Sequence, residues 1–243
     1  MGFLRSAITR LSRRAPVADA PDARPLGVPH YEQLLSKSEI HELMGRDDPL
    51  ILEIGCNDGN DSLEFLAEFP GCQIHCFECD PRPIRTFRAQ VSDDRCKLHE
   101  VALSDRNGVT TLHMSGGTDN HFREDWDLSS SLLEPTGHLT VVPFVTFERT
   151  CEVETARLDD WAEREIPDRV VDFLWMDVQG AEHLVIAGGA STFARTRFCY
   201  FEYSDSELYR GQQDLQELLG ALGTYRLLAT YENNALAVNT GLS

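Results

Sequence analysis

The sequence predicts an α/β fold whose doubly wound sheet is mostly parallel and ends in a C-terminal antiparallel hairpin. A short apolar run, residues 50–54, leads through two glycines into a helical pattern, as the first strand of such a sheet does. Strand-like and helix-like patterns then alternate along the chain. Near the end, two runs rich in apolar and aromatic residues flank a turn at 232–234, which is typical of a hairpin.

The first half of the chain is expected to alternate strands with amphipathic helices. Apolar residues three or four apart mark each helix, and short apolar runs mark each strand. Pro70-Gly71 ends one helix and Pro81 begins the next, because proline is tolerated in a first turn but not inside a helix. The elements expected here, in order, are a helix at 31–44, a strand at 50–54, a helix at 60–69, a strand at 73–78, a helix at 82–91, a strand at 97–103 and an extended segment that ends near Met114.

The second half repeats the pattern after a long interruption. Runs of β-branched and aromatic residues mark its strands, and Gly180 marks a close turn into a helix. The elements expected here are a strand at 170–176, a helix at 180–193, a strand at 197–203, a helix at 212–222 and the hairpin strands at 225–231 and 235–239.

The chain is expected to form a single domain, residues 29–243, after a flexible basic arm and linker, residues 1–28. Its 243 residues suffice for one hydrophobic core. Inside the domain, residues 115–138 are polar and lack periodicity. An insert of that length in a compact domain is usually functional or disordered. We interpret it as a lid over the acceptor substrate.

The charge of the chain limits its partners. A formal net charge of −18 argues against nucleic-acid binding, which needs clustered Lys and Arg. No apolar run is long enough to span a bilayer, and a cytoplasmic location is expected. The four arginines of residues 1–18 would allow weak contact with an anionic membrane surface. The sequence leaves the oligomeric state undetermined.

The turn after the first strand points to a nucleotide-type cofactor. Gly55 and Gly59 permit a tight turn and close approach of a ligand, and Glu53 precedes them as a carboxylate that can orient the turn or a cofactor ammonium. The spacing departs from the dinucleotide fingerprint, which favours S-adenosylmethionine, a cation without a pyrophosphate. Glu78 ends the neighbouring strand, where a carboxylate can accept hydrogen bonds from both ribose hydroxyls.

Carboxylates also follow the two strands on the acceptor side. Asp177 and Glu202 end strands that are expected to be neighbours, and Glu182 lies in the first turn of the intervening helix. Such a pair can act as a general base on a hydroxyl or hold a divalent ion, and we expect the base, with no resident metal. His121 and His138 in the insert are rival bases.

Three cysteines in and around the strand predicted at 73–78 have a spacing that resembles an iron–sulfur site. Cys72, Cys76 and Cys79 have the spacing that cradles a cluster in radical enzymes. Such ligands need one flexible loop, whereas Cys76 falls within a predicted central strand. We therefore expect no cluster.

Taken together, these segments resemble the FkbM family of S-adenosylmethionine-dependent methyltransferases. The matching pieces occur in the family's order over about residues 50–204: Glu53-Ile54-Gly55-Cys56-Asn57-Asp58-Gly59-Asn60, Phe77-Glu78-Cys79-Asp80-Pro81, Ala102-Leu103-Ser104-Asp105 with Gly108, Arg157-Leu158-Asp159-Asp160, and Asp177-Val178-Gln179-Gly180-Ala181-Glu182 with Gly188. The resemblance implies a class I methyltransferase, Rossmann-like fold and O-methylation of a hydroxyl on a sugar, polyketide or related small metabolite.

The resemblance also implies roles for individual residues. Gly55, Asn57 and Gly59 would line the cofactor turn and Glu78 would bind the ribose. The adenine side would be formed by the segment that contains Ala102, Ser104 and Asp105.

Departures from the family pattern leave two alternatives open. Trp175 stands where many members carry Lys and would offer an aromatic face to a sugar or planar ring, and Gln179 replaces a frequent Glu. These changes are compatible with a cofactor-binding module that has lost catalysis. The glycines and the acid that follows are also compatible with an NAD-dependent oxidoreductase, although the middle glycine of that fingerprint is missing.

Overall fold

The computed structural model describes residues 28–118 and 125–242. The predicted arm, except for Val28, and the candidate base His121 lie outside the described residues. Within the described ranges, no helix is long and apolar enough to cross a membrane.

An eight-stranded mixed sheet forms the centre of the molecule, and its strand order is β1-β10-β11-β9-β8-β2-β3-β4. The strands β4, β3, β2, β8 and β9 run parallel, and β11 is antiparallel to both β9 and β10. Their bounds are β1 His30–Tyr31, β2 Leu50–Ile54, β3 Gln73–Phe77, β4 Cys96–His99, β8 Val171–Met176, β9 Thr196–Glu202, β10 Tyr225–Tyr231 and β11 Asn234–Asn239. The predicted parallel sheet with a C-terminal antiparallel hairpin is confirmed.

Helices cover both faces of this sheet, as a doubly wound fold requires. Side chains of β2 alternate between the faces: Leu50, Leu52 and Ile54 enter one core and Ile51 enters the other. The face of Ile51 is covered by α1 Lys37–Met44, α2 Asn60–Glu68 and α3 Pro81–Gln90. The opposite face is covered by α5 Leu158–Glu165, α6 Glu182–Gly188, α7 Ala190–Ala194 and α8 Leu215–Leu222. The remaining helix of the described residues, α4 His138–Val141, begins at the last residue of the predicted insert.

A second, three-stranded sheet differs from the sequence prediction. It consists of β5 Ala102–Leu103, β7 Val145–Ala156 and β6 Gly108–Gly117, in that order. The single strand predicted at 97–103 is wrong, because the chain bends after His99 and its two halves pair in different sheets. The strand β7 and the helix α5 were not predicted, although Val145, Phe147, Cys151 and Val153 keep the alternation of a half-buried strand.

Three predicted helices are also shorter than expected, one of them the helix expected at 212–222, which begins only at Leu215. The helix expected at 180–193 is interrupted by Gly189, so α6 and α7 are separate. The helix expected at 31–44 begins only after Ser36, whose hydroxyl accepts the Glu39 N–H while the Glu39 carboxylate accepts the Ser36 N–H. Tyr31, at the start of the predicted helix, instead belongs to β1, which pairs with β10.

Lys37 attaches α1 to the sheet. Its ammonium lies 3.4 Å from the centroid of a Trp175 ring and 2.8 Å from the Asp61 carboxylate. Trp175 is 3% exposed and also contacts Phe65 and Tyr200. The expectation that Trp175 stacks on a substrate ring is therefore wrong, because α1 and α2 cover this face of β8.

Replacing Lys37 with Met should destabilise the protein by about 2 kcal/mol, the scale of a desolvated cation–π contact. The substitution retains the aliphatic stem and removes the charge between Trp175 and Asp61. Urea unfolding measures the change, and Lys97→Met, at an exposed position of β4, is the matched control. Equal unfolding free energies for the two variants would show that the Lys37 contacts contribute nothing.

Candidate active site

The carboxyl ends of β2 and β8 meet at the point where the strand order of the sheet reverses. The β2 strand has β3 on one side and β8 on the other, which is the switch point where ligands bind in open α/β sheets. The Asp177 N–H donates to the Ile54 carbonyl at 2.9 Å. Gly55 has φ +84°, and a Cβ there would overlap the Asp177 carbonyl oxygen. Glycine is therefore required for the two loops to touch.

The turn after β2 presents polar groups toward this edge. Gly59, with φ +85°, begins α2 so close to the Phe87 ring that a Cβ would overlap it. Asn57 is also left-handed, with φ 48°, and its N–H donates to Glu78 Oε2 at 3.0 Å. The buried Asn57 Oδ1 accepts no hydrogen bond within the described part of the chain.

Glu78 lies beside the turn, as its predicted ribose role requires. Its Oε1 accepts the N–H groups of Cys79 at 2.6 Å and Asp80 at 2.8 Å, and its Oε2 accepts that of Asn57. Burial raises the Glu78 pKa to about 7. Because a carboxylate oxygen accepts about two hydrogen bonds, Oε2 has room for one ribose hydroxyl. A second hydroxyl would have to displace a backbone N–H.

These residues fit S-adenosylmethionine. The unpartnered Asn57 Oδ1 can accept an N–H of the cofactor's ammonium, and Glu78 can accept a ribose hydroxyl. The side-chain-free backbone at Gly55 and Gly59 leaves room for close approach.

Glu53 takes a different position from these residues. Its Oε2 accepts the Ser62 hydroxyl at 2.5 Å and the Cys76 thiol at 3.4 Å, and the residue is 1% exposed. Burial raises its pKa to about 8. Glu53 therefore lies beneath α2, and its predicted role toward the turn or a cofactor ammonium is left without a supporting contact.

The three residues expected on the adenine side divide into two groups. Ala102 lies in an apolar cluster with Cys79, the neighbour of Glu78, and with Leu112 and Met114. Ser104 and Asp105 instead lie against Gly188 of α6, where a Cβ would overlap the Ser104 carbonyl. Ala102 thus lies close to Glu78, the acid predicted to bind the ribose, whereas Ser104 and Asp105 lie against α6.

Asp177 and Glu202 come together through Gln179. The Gln179 Nε2 is 2.7 Å from Asp177 Oδ1 and 2.8 Å from Glu202 Oε2. Tyr209, which is 1% exposed, directs its hydroxyl at the Ser129 carbonyl at 2.8 Å and at Gln179 Oε1 at 3.2 Å. In the sequence, Gln179 stands out only as a departure from the family pattern, and hydrophobic periodicity gives no signal at Tyr209.

The third predicted catalytic acid, Glu182, takes part in shaping the loop. It is 2% exposed, and its Oε1 accepts the Val178 N–H at 3.1 Å. Burial raises its pKa to about 8. Glu182 therefore stabilises the turn that carries Asp177 and Gln179, rather than facing an open cleft.

The predicted insert crosses both halves of the site. The Asp127 carbonyl accepts from Asn57 Nδ2 at 3.3 Å, and the Ser131 hydroxyl donates to the Gln179 carbonyl at 2.8 Å. His138 is 3% exposed, and burial lowers its pKa to about 4. A buried, neutral ring packed between Phe147 and Tyr209 is a core residue in this arrangement.

The three spaced cysteines lie in different surroundings. Cys76 contacts Glu53 and Ser62, Cys79 packs near Ala102, and the Cys72 thiol is directed at the Phe65 carbonyl. Among the residues that the structure describes, no group of three His, Cys, Asp or Glu side chains is placed to hold a metal ion.

A family model described as the methyltransferase FkbM domain matches residues 53–231. The chain belongs to the FkbM family of methyltransferases. The predicted resemblance is thereby confirmed, and an NAD-dependent oxidoreductase is not favoured.

This FkbM methyltransferase is similar to several known proteins, among them one curated relative and one solved structure of the same family. The 2-O-methyltransferase NoeI of Sinorhizobium fredii (strain NBRC 101917 / NGR234) is 46% identical over 209 residues, which are 84% of this chain and 85% of NoeI. The crystal structure of methyltransferase FkbM from Methylobacillus flagellatus KT has a TM-score of 0.50 at 13% identity. That match covers 96% of the present chain but only 58% of the other, and at this identity it shows the fold alone.

Cofactor affinity should depend on pH through Glu78. In its predicted role, Glu78 accepts a ribose hydroxyl as the ionised carboxylate, so affinity should fall as Glu78 is protonated below its pKa of about 7. We expect S-adenosylhomocysteine to bind about tenfold more weakly at pH 6 than at pH 8. Isothermal calorimetry measures this change.

Substituting Glu78 distinguishes its contribution to the pH dependence of affinity from the contributions of other buried acids. Glu78→Ala should weaken binding at pH 8 by about 1 to 3 kcal/mol and abolish most of the pH dependence. Glu163→Ala, at an exposed position of α5, is the control and should bind as the wild type does. An unchanged affinity of Glu78→Ala at pH 8 would remove Glu78 from the ribose role.

Proposed function

We propose that this protein transfers a methyl group from S-adenosylmethionine to a hydroxyl of a sugar or related small metabolite. The O-directed activity of the relative NoeI, named as a 2-O-methyltransferase, supports this direction. The structural observation that carries the proposal is the pair of carboxylates, Asp177 and Glu202, joined by Gln179 next to the Gly55 turn. A hydroxyl acceptor needs such a proton acceptor, because oxygen must lose its proton as the new bond forms.

The roles of the residues follow from their positions. When bound, S-adenosylmethionine supplies a methyl group on a sulfonium whose sulfur leaves as a neutral thioether. Gly55, Asn57, Gly59 and Glu78 would hold the cofactor, and Ala102 would contact its adenine side. Asp177, whose backbone contacts the end of β2, would accept the proton of the acceptor hydroxyl. Glu202 lies on the other side of the Gln179 amide and would orient that hydroxyl.

We further propose that the insert acts as a lid on this site. Residues 125–138 contact the turn through Asp127 and the acceptor side through Ser129 and Ser131. Excluding water there would strengthen the interaction of the carboxylates with a hydroxyl. Weak membrane contact through the arm and a cytoplasmic location remain predictions from the sequence.

The experiment that tests the function uses cofactor with an isotopically labelled methyl group. The protein is incubated with a panel of methyl glycosides that have a free 2-hydroxyl and with cell-extract metabolites, and mass spectrometry identifies any product heavier by one labelled CH2 unit. A labelled ether at oxygen supports the proposal. Cofactor binding without transfer to any compound would support the inert module, and methylation at nitrogen would contradict the O-directed reaction.

Asp177→Asn should separate chemistry from cofactor binding. We expect S-adenosylhomocysteine affinity to stay within about twofold and turnover to fall by about 10²-fold or more, the loss expected for a general base. Asp168→Asn is the matched control, since Asp168 is exposed and its φ of 55° suits Asn equally well. Turnover that Asp177→Asn leaves intact would exclude the base role.

A chelator distinguishes the two uses of the carboxylate pair. Turnover that persists in EDTA supports the base, whereas loss in EDTA that Mg²⁺ or Mn²⁺ restores would favour a divalent ion held by Asp177 and Glu202.

A further inference from the structure

Gln179 connects four separate segments of the chain at the acceptor side of the site. Its backbone is left-handed, with φ 55°, and its carbonyl accepts the Ser131 hydroxyl at 2.8 Å. Its side chain lies between the ends of β8 and β9 and contacts the segment before α8. The position of this one side chain is therefore fixed from several directions.

The two hydrogens of the Gln179 amide match the two carboxylates. Nε2 lies 2.7 Å from Asp177 Oδ1 and 2.8 Å from Glu202 Oε2, so each oxygen can accept one N–H. An ionised carboxylate only accepts hydrogen bonds, and the reversed amide would therefore place oxygen against two oxygens. The Tyr209 hydroxyl lies 3.2 Å from Gln179 Oε1 and 2.8 Å from the Ser129 carbonyl, and because it has a single proton to donate, the two carboxylates set the orientation of the amide.

The neutrality of Gln179 matters because the surroundings are acidic. The groups that face this amide are Asp177 from β8, Glu202 from β9 and the Tyr209 hydroxyl, and Glu182 of α6 lies behind them. Burial raises the Tyr209 pKa, and the charges of Glu202, Asp177 and Glu182 raise it further. An acid in place of Gln179 would add a like charge where donors are needed.

We propose that Gln179 is a positioning residue, whose amide holds Asp177, the acceptor of the substrate's hydroxyl proton, beside Glu202, which orients that hydroxyl. This inference rests on the proposed function. The proton passes from the hydroxyl to a carboxylate as the carbon–oxygen bond forms, and the Gln179 N–H groups are not consumed. A Gln at this position, where Glu is frequent in the family, is therefore compatible with catalysis.

The first test needs no acceptor and compares thermal unfolding of Gln179→Glu at pH 5 and pH 8. The new carboxyl lies among carboxylates, so its pKa in the folded state is raised above the unfolded value near 4.3 and stability is lost as pH increases. We expect the melting temperature, relative to wild type, to fall by about 3 °C or more between the two pH values.

The matched control for this test is Gln73→Glu. Gln73 Oε1 accepts from the Arg169 guanidinium, so a carboxylate there gains a favourable partner. We expect no added loss at pH 8 for this variant. The same pH dependence in both variants would overturn the proposed contact, even if methyl transfer itself were demonstrated.

The second test measures methyl transfer to a glycoside or extract metabolite that the wild type methylates. Gln179→Glu should move the acid limb of the kcat profile to higher pH by about one unit, and Gln179→Met should lower kcat by about tenfold. Affinity for S-adenosylhomocysteine should stay within about twofold in both variants. A wild-type kcat and pH profile in Gln179→Met would refute the positioning role, and a failure of transfer in the wild type itself would refute only the proposed function.

Discussion

The close approach of two strand ends, β2 and β8, is the constraint on which the site depends. Gly55 permits it, because any side chain there would overlap the Asp177 carbonyl, and the Asp177 N–H to Ile54 carbonyl bond fixes it. This contact places the cofactor turn and a carboxylate at the same edge of the sheet. The reactants need that proximity, since in-line transfer depends on reacting atoms held at short range.

Buried acids around this junction are held mostly by neutral donors. Glu78 accepts backbone N–H groups, Glu182 accepts the Val178 N–H, and Glu53 accepts the Ser62 hydroxyl. Burial raises the pKa of each of these three carboxyls. With a pKa of about 8, Glu53 and Glu182 are mostly protonated at pH 7, so the formal net charge of −18 is carried mainly by other carboxylates. Carboxyl groups with perturbed pKa values of this kind are concentrated at functional sites.

The insert joins the two halves of the site into one unit. Asp127 contacts Asn57 on the cofactor side, while Ser131 contacts Gln179 on the acceptor side. Trp126 is 1% exposed, its indole N–H donates to Ser129, and it packs in a small apolar cluster with Val142 and Val145, which follow the insert. A displacement of this segment would alter both halves together.

The sequence by itself determined the strand-end glycines and acids and most of the sheet, because the apolar run of β2 and the turn at Gly55 and Gly59 are local features. Only the tertiary structure decided which residues meet. It divided 97–103 between two sheets, covered Trp175 with Lys37 from a distant helix, and joined Asp177 to Glu202 through Gln179 and Tyr209. These contacts link segments far apart in the chain, and their formation depends on packing and charge in the folded molecule, which no local period records.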